Sequence, residues 1–221
     1  MKKIPIIFML VFTGCLFTKS NYAEVRLPAI ISSNMVLQRI TLWGWVNARA
    51  KLCITTSWLK NSLSFSADNA GDREVEDQTA NSNGPQKIRI RNSKQDISLE
   101  KILFGEVWLC SGQSIMEIFV SSKFGQTVYG AQEAITNSNS ENIRLFTVQH
   151  QAGVSPREKL SEYTGWQSAN LGNVRDFSAE AYFFGLHLQD LLDVPVGLTH
   201  TSWRDSQIET RISKEKLSYR F

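Results

Sequence analysis

Ser114 closes the run Ser111-Gly112-Gln113-Ser114, which follows directly on the apolar stretch of residues 102–110. A serine placed where a buried strand turns into a helix presents its hydroxyl at a cleft. The free N–H groups of the first helical turn can then hold a developing oxyanion. Gly112 lets the backbone approach closely at that turn. Such an arrangement serves nucleophilic attack on an acyl carbonyl. The plainer reading is that Ser111 or Ser114 caps a helix beginning Ile115-Met116-Glu117-Ile118, which is the commoner use of such a serine.

The rest of the chain offers few partners. His150 lies in a polar loop and His187 on a helical stretch. His200 sits at a strand end, with Asp205 shortly after it. A His200–Asp205 pair serving Ser114 competes with the favoured reading of an ordinary strand-end histidine. The three histidines are unclustered, and no Cys/His spacing resembles a zinc site. No metal or other cofactor is expected.

The elements that must position Ser114 follow from periodicity. From about Val25 to Leu99 the chain reads as short strands and turns, among them Met35-Val36-Leu37-Gln38, Thr41-Leu42-Trp43-Gly44-Trp45-Val46 and Lys51-Leu52-Cys53-Ile54-Thr55. Lys87-Ile88-Arg89-Ile90-Arg91 alternates with period two, as a half-exposed strand does. These runs predict a small β-sandwich-like module. Residues 102–110 read as one continuous buried strand, residues 143–148 as a second, and residues 194–199 as a third. Residues 178–192 form a helix capped by Ser178, with Ala181, Phe184, Leu188 and Leu191 on its inner face. Strands alternating with helices predict an α/β fold with a parallel sheet, whose ligands gather at the C-terminal strand ends. Ser111 to Ser114 and Thr201 to Asp205 both fall at such ends and are placed to line one cleft.

Bulk properties exclude other classes. The 221 residues are 42% hydrophobic and 20% charged, and the net charge of +3 comes from scattered Lys and Arg. That is ordinary globular composition, with no basic groove for nucleic acid. Met1-Lys2-Lys3 followed by an apolar run to Phe17 suits a secretory signal peptide and is too short to span a bilayer. Cleavage after Ala23 gives a mature start at Glu24, while Phe12-Thr13-Gly14-Cys15 resembles a lipoprotein box with Cys15 as the lipid anchor. The expected divisions are residues 1–23 as signal peptide, 24–100 as the β-rich module and 101–221 as the α/β part. The protein is accordingly expected to be secreted or periplasmic. Cys53 and Cys110 read as small hydrophobes rather than a disulfide framework.

Val107-Trp108-Leu109-Cys110-Ser111-Gly112-Gln113-Ser114-Ile115-Met116-Glu117 closely resembles the nucleophile block of the sialate O-acetylesterase family, V-W-L-C-S-G-Q-S-N-M-E. The similarity extends to Arg26-Leu27-Pro28, Asn34-Met35-Val36-Leu37-Gln38-Arg39 and Trp43-Gly44-Trp45. It continues through Asn142-Ile143-Arg144-Leu145-Phe146, Phe177-Ser178-Ala179-Glu180-Ala181-Tyr182-Phe183-Phe184-Gly185 and Val194-Pro195-Val196-Gly197-Leu198. The resemblance implies the N-terminal part of a Ser-Gly-Asn-His class hydrolase: a flavodoxin-like three-layer α/β/α domain, here incomplete, preceded by the β-module. It implies a serine esterase acting on O-acetyl groups of sialic acid or related sugars. Ser114 carries over as nucleophile, and Gly112, Gln113, Ser202 and Trp203 as the oxyanion or substrate pocket.

The chain also departs from the pattern. The family's Asn after the nucleophile is Ile115. Its S-W-G-G-T-P-I-E-A-W is Ser202-Trp203-Arg204-Asp205-Ser206-Gln207-Ile208-Glu209-Thr210-Arg211, so Arg204 and Asp205 replace paired glycines, one of which is expected to offer an oxyanion N–H. The later Asp-x-x-His block has no counterpart before Phe221, which predicts a truncated chain of low or no activity. The competing expectation is an inactive exported remnant or a carbohydrate-binding protein using Trp43, Trp45, Trp58 and Trp166 as stacking surfaces, against which core packing of those rings is favoured.

Overall fold

The computed structural model describes residues 24–38, 40–67, 72–77, 84–153, 155, 157 and 159–218. The signal-peptide segment, including Cys15, lies outside the described residues. Three sheets are present among the described residues. Strands β1 (Val36–Leu37), β3 (Lys51–Thr56), β4 (Leu63–Ser66), β6 (Gln86–Arg91) and β7 (Asp96–Phe104) form a five-stranded sheet in the order β1-β7-β6-β3-β4. Strands β2 (Ile40–Trp45) and β5 (Asp72–Asp77) pair antiparallel as a second sheet. The period-two pattern of β6 is realised, with Ile88 and Ile90 buried between exposed Lys87, Arg89 and Arg91. Leu42 of β2 joins Leu52, Ile54, Ile88 and Ile90 in one apolar cluster, which is how the two sheets of the module hold together.

The third sheet carries the site. It runs β10-β9-β11-β8, from strands β8 (Glu106–Cys110), β9 (Ser140–Thr147), β10 (Gln167–Ala169) and β11 (Val196–His200). β11 lies parallel to both β8 and β9, and β10 is antiparallel to β9. All five residues of β11 are buried, as befits a central parallel strand. One face of the sheet packs Ile143, Leu145, Val196 and Leu198 against helices α1 (Ala131–Thr136), α2 (Leu171–Arg175) and α3 (Ala179–Leu192). The opposite face turns Phe146 and Val107 toward the cluster of the β-module. The fold is therefore mixed α/β, as the alternation of strands and helices predicts.

Three local expectations are corrected. The apolar stretch 102–110 is two strands rather than one, because its first residues finish β7 and the rest form β8. The break falls at Gly105, where an added Cβ would lie 1.9 Å from the Pro195 carbonyl oxygen, so that only glycine fits. In α3, Ser178 caps the helix as expected, its Oγ accepting the Ala181 N–H at 3.2 Å. The buried face, however, is Ala181, Tyr182 and Gly185, while Phe184 and Leu191 are exposed. Tyr182 takes the core position because it is completely enclosed by the helical side of the sheet. Finally, residues 114–117 form a turn and not a helix, with Glu117 N–H donating to the Ser114 carbonyl at 3.3 Å.

Trp166 is buried and its indole N–H donates to the Ile30 carbonyl at 2.8 Å. Trp58 packs edge-on against Phe104, with ring centroids 5.0 Å apart. Both are core aromatics, whereas Trp43 is exposed. Cys53 and Cys110 are free thiols. Burial pushes the Cys110 thiol up to about 11, which marks it as an inert packing residue. Among the described residues no helix is long and apolar enough to cross a membrane.

Candidate active site

Register assembles the site. Cys110 of β8 and His200 of β11 are paired residues at the C-terminal ends of adjacent parallel strands. The segments that leave those strands therefore emerge side by side. Thr201 N–H donates to the Cys110 carbonyl at 2.9 Å, and Ser111 Oγ donates to the Thr201 carbonyl at 2.9 Å. Trp203 N–H donates to the Gly112 carbonyl at 3.1 Å, and Gln113 Nε2 donates to the Ser206 carbonyl at 2.6 Å. The two segments that the sequence places at one cleft, 111–114 and 201–205, are thus joined by backbone and side chain alike.

Ser114 sits in the turn between them, partly exposed, and its hydroxyl has no hydrogen-bond partner among the described residues. A hydroxyl left free at a strand end is available to a ligand or to an attacking role. Gly112 is required locally, since an added Cβ would stand 2.7 Å from the Met116 Cβ. The absence of a helix after Ser114 removes the expected helix-start donors. An anion at this turn would meet turn N–H groups instead. Of the two backbone N–H groups at 204 and 205, that of Arg204 is already engaged, donating to Glu117 Oε2 at 2.6 Å. Asp205 adopts φ 59°, the left-handed region that favours glycine, at a position where the resembling family has one. Ile115 is 69% exposed and projects an apolar group where that family carries an amide.

The His200–Asp205 pair does not form. His200 is buried, and its Nε2 lies 2.6 Å from Ser202 Oγ and 3.1 Å from the Met116 carbonyl oxygen. Its Nδ1 is buried with no partner among the described residues. Burial holds the imidazole below its usual range, against the pull of the Met116 carbonyl and the Glu117 charge. Asp205 is exposed and has no hydrogen bond or ion pair among the described residues. His200 is a packed histidine that anchors Ser202 and the Met116 backbone. His187 is exposed on α3.

The residue that sequence reasoning missed is His150. Its Nε2 lies 3.2 Å from Glu117 Oε1 and 2.8 Å from the Ser202 carbonyl oxygen. Both are acceptors, so Nε2 carries the hydrogen and donates it. The ring stacks on Trp203 at 4.7 Å between centroids and an 11° interplanar angle. His150 therefore ties the segment after β9 to both strand-end segments. Glu117, only three residues beyond Ser114, was the one available signal, as an acidic residue in an otherwise apolar turn. Arg211 adds a further tie. Its Nη2 donates to the Gly112 carbonyl, to the Trp203 carbonyl at 3.2 Å and to Ser206 Oγ at 2.5 Å. No cluster of His, Cys, Asp and Glu suited to a metal ion occurs among the described residues.

Comparison with known proteins finds similar chains among the acetylesterases. A sialate O-acetylesterase of Rattus norvegicus is 26% identical over 235 residues, covering 96% of this chain and 42% of that protein. The Homo sapiens sialate O-acetylesterase is 28% identical over 214 residues, 87% of this chain and 39% of that protein. That of Mus musculus reaches 32% over 130 residues, 55% of this chain and 23% of that protein. Among solved structures, a carbohydrate acetylesterase from Xanthomonas citri matches with a TM-score of 0.78 at 25% identity, over 88% of this chain and 44% of that chain. No family model matches the sequence. The chain spans less than half the length of each of these relatives. Over the part of their length that it spans, the chain is homologous to the sialate O-acetylesterases and shares the α/β fold of a carbohydrate acetylesterase.

Proposed function

We propose that this chain carries the nucleophile of a carbohydrate O-acetylesterase, with Ser114 attacking the acetyl carbonyl of an O-acetylated sugar. The observation that carries the reading is the free Ser114 hydroxyl in a turn at the C-terminal end of β8, joined to the strand-end segment after β11. Attack there forms a bond from Ser114 Oγ to the acetyl carbon. The sugar oxygen leaves with a proton, and water then releases acetate. Trp203, 41% exposed beside the turn, offers an aromatic face to a sugar ring.

The finer part of the reading is that turnover by these residues alone is low. Two observations support it. Each nearby imidazole has its Nε2 committed elsewhere, that of His150 to Glu117 and Ser202, and that of His200 to Ser202 and Met116. Of the N–H groups at 204 and 205, one of which the family resemblance makes an oxyanion donor, that of Arg204 is committed to Glu117. Without a general base the residual rate of a serine hydrolase is on the order of 10³–10⁴ over water. The basic and apolar start of the chain further supports export, and N-terminal sequencing of the protein recovered outside the cytoplasm tests that. The experiment for the main reading is acetate release from O-acetylated sugars, with Ser114→Ala as control. Release abolished by Ser114→Ala is the expected result, and release unchanged by it overturns the assignment.

A further inference from the structure

His150 lies outside each of the stretches that carry the family resemblance. Its backbone is nevertheless held in place, since Val148 N–H donates to the His200 carbonyl at 3.0 Å and Gln149 N–H to the Glu162 carbonyl at 3.1 Å. From that stem the imidazole reaches both strand-end segments. Nε2 donates to the Ser202 carbonyl at 2.8 Å and to Glu117 Oε1 at 3.2 Å, and turning the ring away loses both bonds. The ring plane is therefore fixed, and Trp203 lies on it, 11° from parallel with centroids 4.7 Å apart. The indole has one face covered by the imidazole and is still 41% exposed, which leaves its other face to solvent. Two contacts bracket the indole beside the turn that holds Ser114. The Trp203 N–H donates to the Gly112 carbonyl at 3.1 Å, and the His150 ring beneath the indole is bonded to Glu117. Gly112 precedes Ser114 by two residues and Glu117 follows it by three.

We propose that His150 is a positioning residue, holding the Trp203 indole in one orientation so that its open face takes the apolar face of a sugar ring alongside Ser114. This rests on the reading of Ser114 and Trp203 as a site for O-acetylated sugars and adds the group that orients the aromatic platform. An exposed indole free to pivot about its side-chain bonds must be ordered when a ligand stacks on it, and that ordering costs binding free energy. An indole already ordered by a stacked ring, itself tied by two hydrogen bonds, does not meet the cost again. His150 acts through Trp203 alone and touches no reacting atom.

The test is a double-mutant cycle in the full chain, carrying Ser114→Ala to prevent turnover, with 9-O-acetyl-N-acetylneuraminic acid as the titrated probe. His150→Ala is expected to weaken binding roughly two- to tenfold, the range for ordering one side chain, and to have no effect once Trp203→Ala is present. Weakening of the same size in both backgrounds shows that His150 acts on the fold at large and overturns the proposal. No weakening in either background overturns it too, as does unchanged binding by Trp203→Ala alone, and both leave the Ser114 reading standing. A Ser114→Ala protein that does not bind the probe overturns the reading beneath. Indole fluorescence supplies a readout that needs no change at His150. Saturating probe is expected to alter the emission of the Ser114→Ala protein, and the change to be lost in Trp203→Phe. A change that persists undiminished in Trp203→Phe puts the sugar on another tryptophan and overturns the proposal.

Discussion

His150 donates its Nε2 hydrogen to Glu117 at 3.2 Å, and through that contact a loop after β9 is fastened to the turn that holds Ser114. Glu117 is the hub. It accepts from His150 with one oxygen and from the Arg204 backbone with the other, and its side chain is only 18% exposed. Glu117→Ala removes the acceptor of the Arg204 N–H and one of the two acceptors of His150 Nε2, the Ser202 carbonyl oxygen remaining. The expected loss is about 0.5–1.5 kcal/mol of stability, the net worth of a hydrogen bond whose donors water can still reach. Urea unfolding measures it, and a midpoint unchanged from the parent chain shows that the hub contributes nothing.

Acid weakens the fold through His200. Burial holds this imidazole below its ordinary value of 6.5, so the folded state binds fewer protons than the unfolded state in the window just below that value. Stability is therefore fully present above about pH 6.5 and falls as the pH drops toward the folded-state value. The partnerless Nδ1 gives an added proton no acceptor. Thermal melting between pH 7.5 and pH 5 is expected to show a declining midpoint, with a smaller decline in His200→Asn. A decline of the same size in His200→Asn assigns the acid sensitivity to other groups.

Much of this framework is legible before any coordinate is known, and the exceptions have physical causes. The alternation in β6, the apolar runs of β9 and β11 and the cap at Ser178 are local patterns that tertiary packing leaves in place. The division of residues 102–110 is different. The stretch is apolar apart from Gly105 and Glu106, and what interrupts it is the Pro195 carbonyl from a distant part of the chain. The missing helix after Ser114 has a similar origin, since the Glu117 carboxylate is drawn to Arg204 and His150. His150 itself carries no periodic signal, because its partners come from two other segments. Ser114, Gly112, Gln113, Ser202 and Trp203 do converge on one place. The alternative His200–Asp205 pair does not form, because His200 is turned toward Ser202 and Met116 as a packed strand-end histidine.

Ser178 gives a calibrated probe of the helix that covers the sheet. Its hydroxyl accepts the Ala181 N–H, satisfying one donor of the first turn of α3. Ser178→Ala is expected to lower stability by about 1 kcal/mol. The residue is fully buried, so no water can replace the lost acceptor without a rearrangement. Far-ultraviolet melting of the variant reads the change. An unchanged melting curve shows that the cap is redundant with the packing of Tyr182 and Ala181.

The edge of the sheet predicts how the isolated chain behaves in solution. β8 lies at one end of the order β10-β9-β11-β8, so one side of its backbone is unpaired among the described residues. Leu109 on this strand is 68% exposed, and Trp108 is also exposed, touching Phe184 edge-on at 5.1 Å between centroids. An edge strand with apolar residues on show is a template for pairing with another chain, and a single lysine there is the usual deterrent. Self-association of the isolated chain is the expected behaviour. Leu109→Lys places a charge on the open edge without disturbing the helical side, where Cys110 is packed. Light scattering is expected to show large species for the parent sequence and a shift toward monomer for the variant. A monodisperse parent, or a variant that associates as strongly, removes β8 as the cause.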